Sequence, residues 1–227
     1  MPDDVRSLVK TYLHEPVTVQ IGHSAPVSSV SHALYPVKQH LKSALLTELL
    51  RQVETESVVV FTRTKHRAER VAEQLKRAGF NVTSLQGNLA QARRQAAIES
   101  FRNGKVKIMV ATDIAARGID VLSISHVINY DMPDTTDAYT HRIGRTGRVD
   151  QTGEAFTLVS PEDGEMVRAV ERILNKRIER RTLPGFDYAV EASKIESERR
   201  PTRRFGAPTS SSRPFSGERR RVFSRAS

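Results

Sequence analysis

The chain has 227 residues, enough for one domain of ordinary size with sequence to spare, and a formal net charge of +10. It has no cysteine, which excludes a disulfide framework and a thiolate metal site, and no apolar run approaches a membrane span. The opening Met-Pro-Asp-Asp-Val lacks the basic and apolar regions of a secretory leader, so a cytoplasmic location without membrane association is expected.

Taken in chain order, Asp3–Leu13 reads as a helix, and Val17–Ile21 and Val30–Val37 as extended segments. Leu41–Val53 follows as an amphipathic helix. Ser57–Thr62 is a continuous β-branched and aromatic run, the pattern of a strand covered on both faces. Ala68, Val71, Ala72 and Leu75 then fall at i, i+3, i+4 and i+7, one apolar stripe of a helix, with Gly79 where a C-cap is expected. Asn81–Leu85 predicts a strand, Ala90–Arg102 a helix with Ile98 and Phe101 inward, and Val106–Ala111 a strand followed by a loop. His126–Tyr130 predicts a strand, Thr136–Gly144 a helix, Glu154–Val159 a strand and Glu162–Asn175 a closing helix.

Strands separated by helices of this length imply right-handed crossovers and a mainly parallel sheet with helices on its faces, an α/β layered domain. The expected organisation is a linker with a first helix and strand over 1–24, the α/β domain over 25–185, and a tail over 186–227. The charge is concentrated in the tail: residues 189–227 carry nine Arg and one Lys against four Glu, a net +6, leaving +4 for the other 188 residues. Residues 196–227 are rich in Ser, Arg and Pro and offer too little apolar surface to offset chain entropy, so a disordered basic tail is expected. A polyanion such as nucleic acid is the natural partner; a tail that only solubilises is the plainer alternative.

Ligands of parallel α/β sheets gather beyond the carboxyl ends of the strands, and the unusual residues of this chain fall there. They are Thr62 and Arg63; Gly87 and Asn88, with Gln91 and Arg94 one turn into the next helix; and Thr112 and Asp113, followed by Gly118 and Asp120. Gly87-Asn88 opens a helix, where free N–H groups suit a phosphate. Gln91 and Arg94 can reach a further phosphate or a ribose hydroxyl from one helix face. Asp120 could accept from a ribose, and Gly118 permits close approach. Each has a simpler structural reading as well: Asn88 as a cap, Asp113 and Asp120 as cap or turn residues, Arg94 as a solvated face.

The most specific stretch is His141-Arg142-Ile143-Gly144-Arg145-Thr146-Gly147-Arg148. Arg145 and Arg148 sit three apart at a helix end, a spacing from which two guanidinium forks converge on one anion. A solvated basic helix has no need of Gly144 and Gly147, which weaken it by roughly 1 kcal/mol each.

Four segments in order resemble the second RecA-like domain of DEAD-box RNA helicases: 58–65 (VVVFTRTK) is similar to motif IV, 86–94 (QGNLAQARR) to motif IVa, 110–120 (VATDIAARGID) to motif V, and 141–148 (HRIGRTGR) to motif VI. The resemblance covers roughly residues 1–175, and within the family it is similar to the bacterial RhlE type; Gln86 and Ala90 depart from the commonest residues of motif IVa. It implies a three-layer RecA-like fold. It further implies that Arg145 and Arg148 act as arginine fingers on the γ-phosphate of ATP, with Gly118 and Asp120 at the nucleotide and its ribose. Thr62, Arg63, Gly87, Asn88, Gln91, Arg94 and Thr112 would line RNA, and Asp113 and His141 would couple the two surfaces. Mg²⁺ and most of the triphosphate would be held by an N-terminal RecA-like partner domain.

Neither G-x-x-x-x-G-K-[ST] nor Asp-Glu-Ala-Asp occurs in the chain. Those motifs hold the triphosphate and metal and place the attacking water, so the chain is expected to be catalytically incomplete by itself. A lone RNA-binding module without turnover and a DNA-directed motor are the competing expectations. A nicotinamide-dinucleotide enzyme is disfavoured because no G-x-G-x-x-G follows the first core strand. Composition leaves the oligomeric state open.

Overall fold

The structure, a computed structural model, describes residue 9 and residues 11–14, 30–53, 56–116, 124–147 and 152–191. Seven parallel strands form one sheet: β1 (Val30–Pro36), β2 (Val58–Phe61), β3 (Val82–Leu85), β4 (Ile108–Ala111), β5 (His126–Asn129), β6 (Gly153–Val159) and β7 (Glu179–Arg180), in the order β3-β4-β2-β5-β6-β1-β7. The helices are α1 (Lys42–Gln52), α2 (Lys65–Arg77), α3 (Gln91–Arg102), α4 (Asp113–Ala116), α5 (Thr136–Ile143) and α6 (Gly164–Ile173), with 3₁₀ turns at Gln39–Leu41 and Pro161–Asp163 leading into α1 and α6.

Strand order and chirality together decide which helix covers which face. The chain steps one way along the sheet from β1 to β2 to β3, then the other way through β4, β5, β6 and β7. With right-handed crossovers, α1 and α2 fall on one face and α3 to α6 on the other. The packing agrees: Val59, Phe61, Met109 and Val127 pack with Ala97 and Phe101 of α3, while Leu34 and Ala155 on the same face pack with Tyr139 and Ile143 of α5 and Val167 and Val170 of α6. Every residue of β2, β4 and β5 is buried, as expected of strands covered on both sides.

Local chemistry sets the element ends. Thr64 caps α2 through its side chain, which accepts from the Arg67 N–H at 3.2 Å, and the predicted stripe Ala68, Val71, Ala72 and Leu75 is its buried face. Gly79, at φ +92°, lets the Phe80 N–H turn back onto the Leu75 carbonyl at 3.0 Å, a left-handed termination. Three features differ from the expectations above. The segment after β4 is not wholly loop, because Asp113–Ala116 forms one helical turn with Ala115 and Ala116 buried. The closing helix begins only at Gly164, since Ser160 and Asp163 form a capping box over the 3₁₀ turn at Pro161. The two-residue edge strand β7 has no apolar pattern to announce it. The proposed strand Val17–Ile21, most of the proposed helix Asp3–Leu13 and the stretch 196–227 lie outside the described residues.

Two histidines, His32 half-buried and His126 buried, make stability depend on pH. Burial lowers the pKa of His32, as does the nearby Lys176 charge. Burial also lowers that of His126, against the opposing pull of Glu154 at 3.1 Å. Both side chains therefore fold more readily neutral. Their contribution is complete above the ordinary value of about 6.5 and is lost as pH falls below it, because the unfolded chain then binds protons that the folded chain resists. The melting temperature is expected to drop between pH 7.5 and 5, and His32→Gln with His126→Gln is expected to flatten that drop. An unchanged pH profile in the double variant would count against this account.

Candidate functional site

Register brings the functional loops to one level. Phe61 lies opposite both Ala111 and Asn129, and Leu85 opposite Ala111, so the chain leaves β2, β3, β4 and β5 along a single rim. The segment after β2 rises to one face, whereas those after β4 and β5 pass to the other. The rim divides there, as at the switch points where α/β sheets bind ligands.

In that division lies a cleft of about 650 Å³, bordered by Phe61, Asp113, Ile114, Thr135, Asp137, His141, Arg142 and Arg145. Asp113 and His141 thus share one concavity with Arg145. Thr135 starts α5 by accepting from the Ala138 N–H at 3.1 Å. His141 and Arg145, four residues apart, then occupy the outward side while Tyr139, Arg142 and Ile143 are buried. Arg145 is half-buried, its amide bound to the Arg142 carbonyl at 3.1 Å. Gly147 takes φ +68°, which a side chain would strain, and a Cβ on Gly144 would come within 3.2 Å of the Thr140 carbonyl. A Cβ on Gly153 would overlap Thr146 Oγ1 and the Gly147 nitrogen, so the start of β6 presses on the turn that follows Arg145. Gly118, Asp120 and Arg148 lie outside the described residues.

Arg142 is the site residue that the motif reading passed over. It is 2 % exposed and touches every strand end around the cleft. Its Nε and Nη2 donate to Asp113 at 2.6 and 2.8 Å, its Nη1 to Asn129 Oδ1 at 3.1 Å and to the Asp131 carbonyl at 2.7 Å, and its guanidinium lies 5.2 Å from the centre of the Phe61 ring. A signal was present: Tyr139, Arg142 and Ile143 fall at i, i+3 and i+4, so the arginine stands in the apolar stripe of its own helix. Asp131 carries a parallel task, holding the Arg63 amide at 2.9 Å and Arg67 Nη1 at 2.6 Å.

The residues expected to face RNA divide into two layers. Gly87, Asn88 and Gln91 are exposed, with open space around Gly87. Asn88 does not cap α3, whose N-cap is Ala90 without a side-chain bond. Arg94 is no mere solvated face, because its Nη2 donates to the Ala115 carbonyl at 2.8 Å and ties α3 to α4. Arg63 pairs with Asp134 at 3.0 Å, their side chains 49% and 74% exposed, a bond weak enough to exchange for a phosphate. Thr62 and Thr112 lie beneath these residues. Thr62 is 0 % exposed with its hydroxyl donating to the Thr64 carbonyl at 3.2 Å, and Thr112 is 8 % exposed with its amide directed to Leu85. Ile114, beside Asp113 at the cleft mouth, is 84 % exposed. Among the described residues no group of three or more His, Asp or Glu gathers as metal ligands.

Residues 41–150 match the helicase conserved C-terminal domain family. A solved structure of the Escherichia coli DEAD-box protein SrmB, bound to the regulator RraA, is 38% identical and superposes with a TM-score of 0.65 over 71% of this chain and 98% of that one. The chain is a DEAD-box helicase C-terminal domain. Saccharomyces cerevisiae Dbp5 bound to RNA and ADP BeF3 is 29% identical with a TM-score of 0.70, covering 87% of this chain and 52% of that one. Among curated relatives, the RNA helicase CrhR of Synechocystis is 42% identical over 199 residues and the ATP-dependent RNA helicase DeaD of Mycobacterium tuberculosis 39% over 188. The chain spans 40% and 33% of those two proteins. The bacterial DEAD-box kinship and the helix-flanked parallel sheet of RecA type both follow the expectations from sequence.

Proposed function

We propose that this helicase C-terminal domain supplies half of a shared seat for ATP and an RNA strand, the other half belonging to an N-terminal RecA-like domain. The observation that carries the reading is the meeting of Asp113, His141, Arg142 and Arg145 in one cleft, on the rim that also presents Arg63, Gly87, Asn88, Gln91 and Arg94. In this reading Arg145, together with Arg148, reaches the γ-phosphate and stabilises charge that develops on it during transfer. Gly118 and Asp120 meet the nucleotide and its ribose. The exposed residues on the rim hold RNA through its phosphates and 2′-hydroxyls, which suits binding independent of sequence. Thr62 and Thr112 support that surface from below. Asp113, bonded to Arg142, and His141, beside it in the same cleft, link the two surfaces.

ATP supplies the phosphoryl group, and Mg²⁺ neutralises its charge. The donor set of the described residues fits the phosphate through Arg145, and in this reading the N-terminal half would hold the metal. ATP and RNA that each touch both halves favour the closed arrangement together, which completes the catalytic constellation and strains a short duplex. Unwinding follows from closure, and release from hydrolysis.

The 227-residue chain alone is expected to show no ATP hydrolysis above background, with or without RNA. Joined to an N-terminal RecA-like half carrying the missing motifs, it is expected to give turnover that RNA stimulates more than DNA does. Hydrolysis by the rigorously purified chain alone would defeat the division of labour proposed here.

A further inference from the structure

We propose that the outer surface of α6, the turn after it and β7 is a second binding surface for single-stranded RNA, separate from the cleft. This rests on the RNA-binding reading above and extends it to residues that the helicase motifs do not include.

Two concavities of about 610 and 580 Å³ meet along α6 and share Arg168, Glu171 and Arg177. Together they are lined by six cations: Lys38, Arg168, Arg172, Lys176, Arg177 and Arg180. All six are exposed, and among the described residues no ion pair engages any of them. The one carboxylate in the lining, Glu171, accepts from the Ile178 N–H at 3.0 Å and is committed to holding the turn.

Helix geometry produces this concentration. Val167 and Val170 face the core, which leaves Arg168 and Arg172 at i, i+4 on the outside. Asn175, at φ +49°, ends the helix in a left-handed turn that is followed by Lys176 and Arg177. Arg180 lies on β7 opposite Leu34, and Lys38 follows β1. Six cations share these hollows with the single carboxylate of Glu171, which leaves a net positive lining. A line of guanidinium groups over two joined hollows suits a chain of phosphates better than one small anion.

Position supports the same ligand. Lys38 sits just past the carboxyl end of β1, on the same rim as the cleft and three strands from β2. At about 4.8 Å per strand, that is on the order of 15 Å, a distance that a few nucleotides can bridge. An acidic protein partner would be expected to need an exposed apolar anchor at the centre of the surface, whereas Leu34, Val37, Val159 and Val167, which line the first hollow, are already buried and its exposed lining is richest in cations. In the sequence, the Arg-rich stretch 196–227 follows soon after β7 and continues the same chemistry.

The test measures binding of the full 227-residue chain to a 20-nucleotide oligouridylate by fluorescence anisotropy across a salt series. Arg168→Ala with Arg177→Ala removes two phosphate contacts, so affinity is expected to fall about 20-fold at 0.1 M salt and the log–log salt slope to become shallower by about 1.4. Arg168→Lys with Arg177→Lys keeps the charge and is expected to stay near the parent. Unchanged affinity and slope in the alanine variant would overturn the proposal, as would an equal loss in the lysine variant. Binding of polyglutamate that depends on these arginines while RNA binding does not would instead assign the surface to an acidic protein. Arg63→Ala with Arg94→Ala separates this proposal from the cleft reading. Loss only in that variant leaves the cleft and removes the second surface, whereas loss only in the Arg168/Arg177 variant does the reverse.

Discussion

Arg145→Ala, placed in a protein that joins this chain to an N-terminal RecA-like half, is expected to lower RNA-stimulated ATP hydrolysis by on the order of 10³-fold or more while leaving RNA affinity nearly unchanged. The reason begins in the helix. His141 lies in the last turn of α5 and Arg145, four positions on, just past its Gly144 cap, and both border the cleft. Gly147, held at φ +68°, bends the chain sharply just beyond. In the proposed role of this guanidinium it would meet charge that is largest in the transition state, so its loss is expected to lower kcat and kcat/KM together, leaving KM little altered. Arg145→Lys keeps a point charge but loses the planar fork, and an intermediate rate is expected. Single-turnover kinetics with excess enzyme would isolate the chemical step. Turnover close to the parent in the alanine variant would remove Arg145 from the role of finger.

The second large effect is expected from Arg142→Ala, and it falls on stability. The substitution strips the Asn129 amide oxygen of a donor in a wholly buried position and the Asp131 carbonyl of another. It also leaves Asp113 without its two-pronged partner. Removing one member of a buried ion pair costs about 3–5 kcal/mol; because Asp113 keeps 44% of its side-chain exposure, the lower figure of about 3 kcal/mol applies. For a domain of this size that corresponds to a fall in Tm of roughly 6–12 °C. A double-mutant cycle with Asp113→Ala separates the pair from the rest of the network, because the Asn129 and Asp131 bonds are lost in only one of the two single variants. A fall of less than about 2 °C would show that the network around Arg142 contributes little.

Much of the fold is legible in the sequence because burial on both faces leaves a strong mark. The unbroken apolar runs of β2, β4 and β5 and the stripe of α2 stand where their patterns place them. Gly79 marks its helix end because few other residues accept that backbone conformation without strain. The short helix α4 was not legible, since four residues cannot display a helical period. Nor was β7, whose two exposed charged residues pair with β1 through the backbone alone. Among the site residues, Asp113 is legible from its place at a strand end and Arg145 from its spacing to Arg148, whereas His141 rests on the family resemblance. Thr62 and Thr112 looked equally fit to touch a ligand, but the residue after a fully buried strand can remain under the surface, and both do. Arg142 is less legible because a charged side chain ordinarily faces solvent, although its place in the apolar stripe of α5 points inward.

By itself the sequence determined the alternation of strand and helix, the parallel connections that such an alternation forces, and the set of polar residues at the strand ends. All of these depend on periods and residue types that act over a few positions along the chain. Strand order, the level rim, the union of Asp113 with Arg142 across 29 residues, and the gathering of Lys38 with the cations of α6 and β7 were decided only in three dimensions. Such contacts join segments far apart in the chain, and their free energy depends on desolvation and geometry that no local pattern encodes.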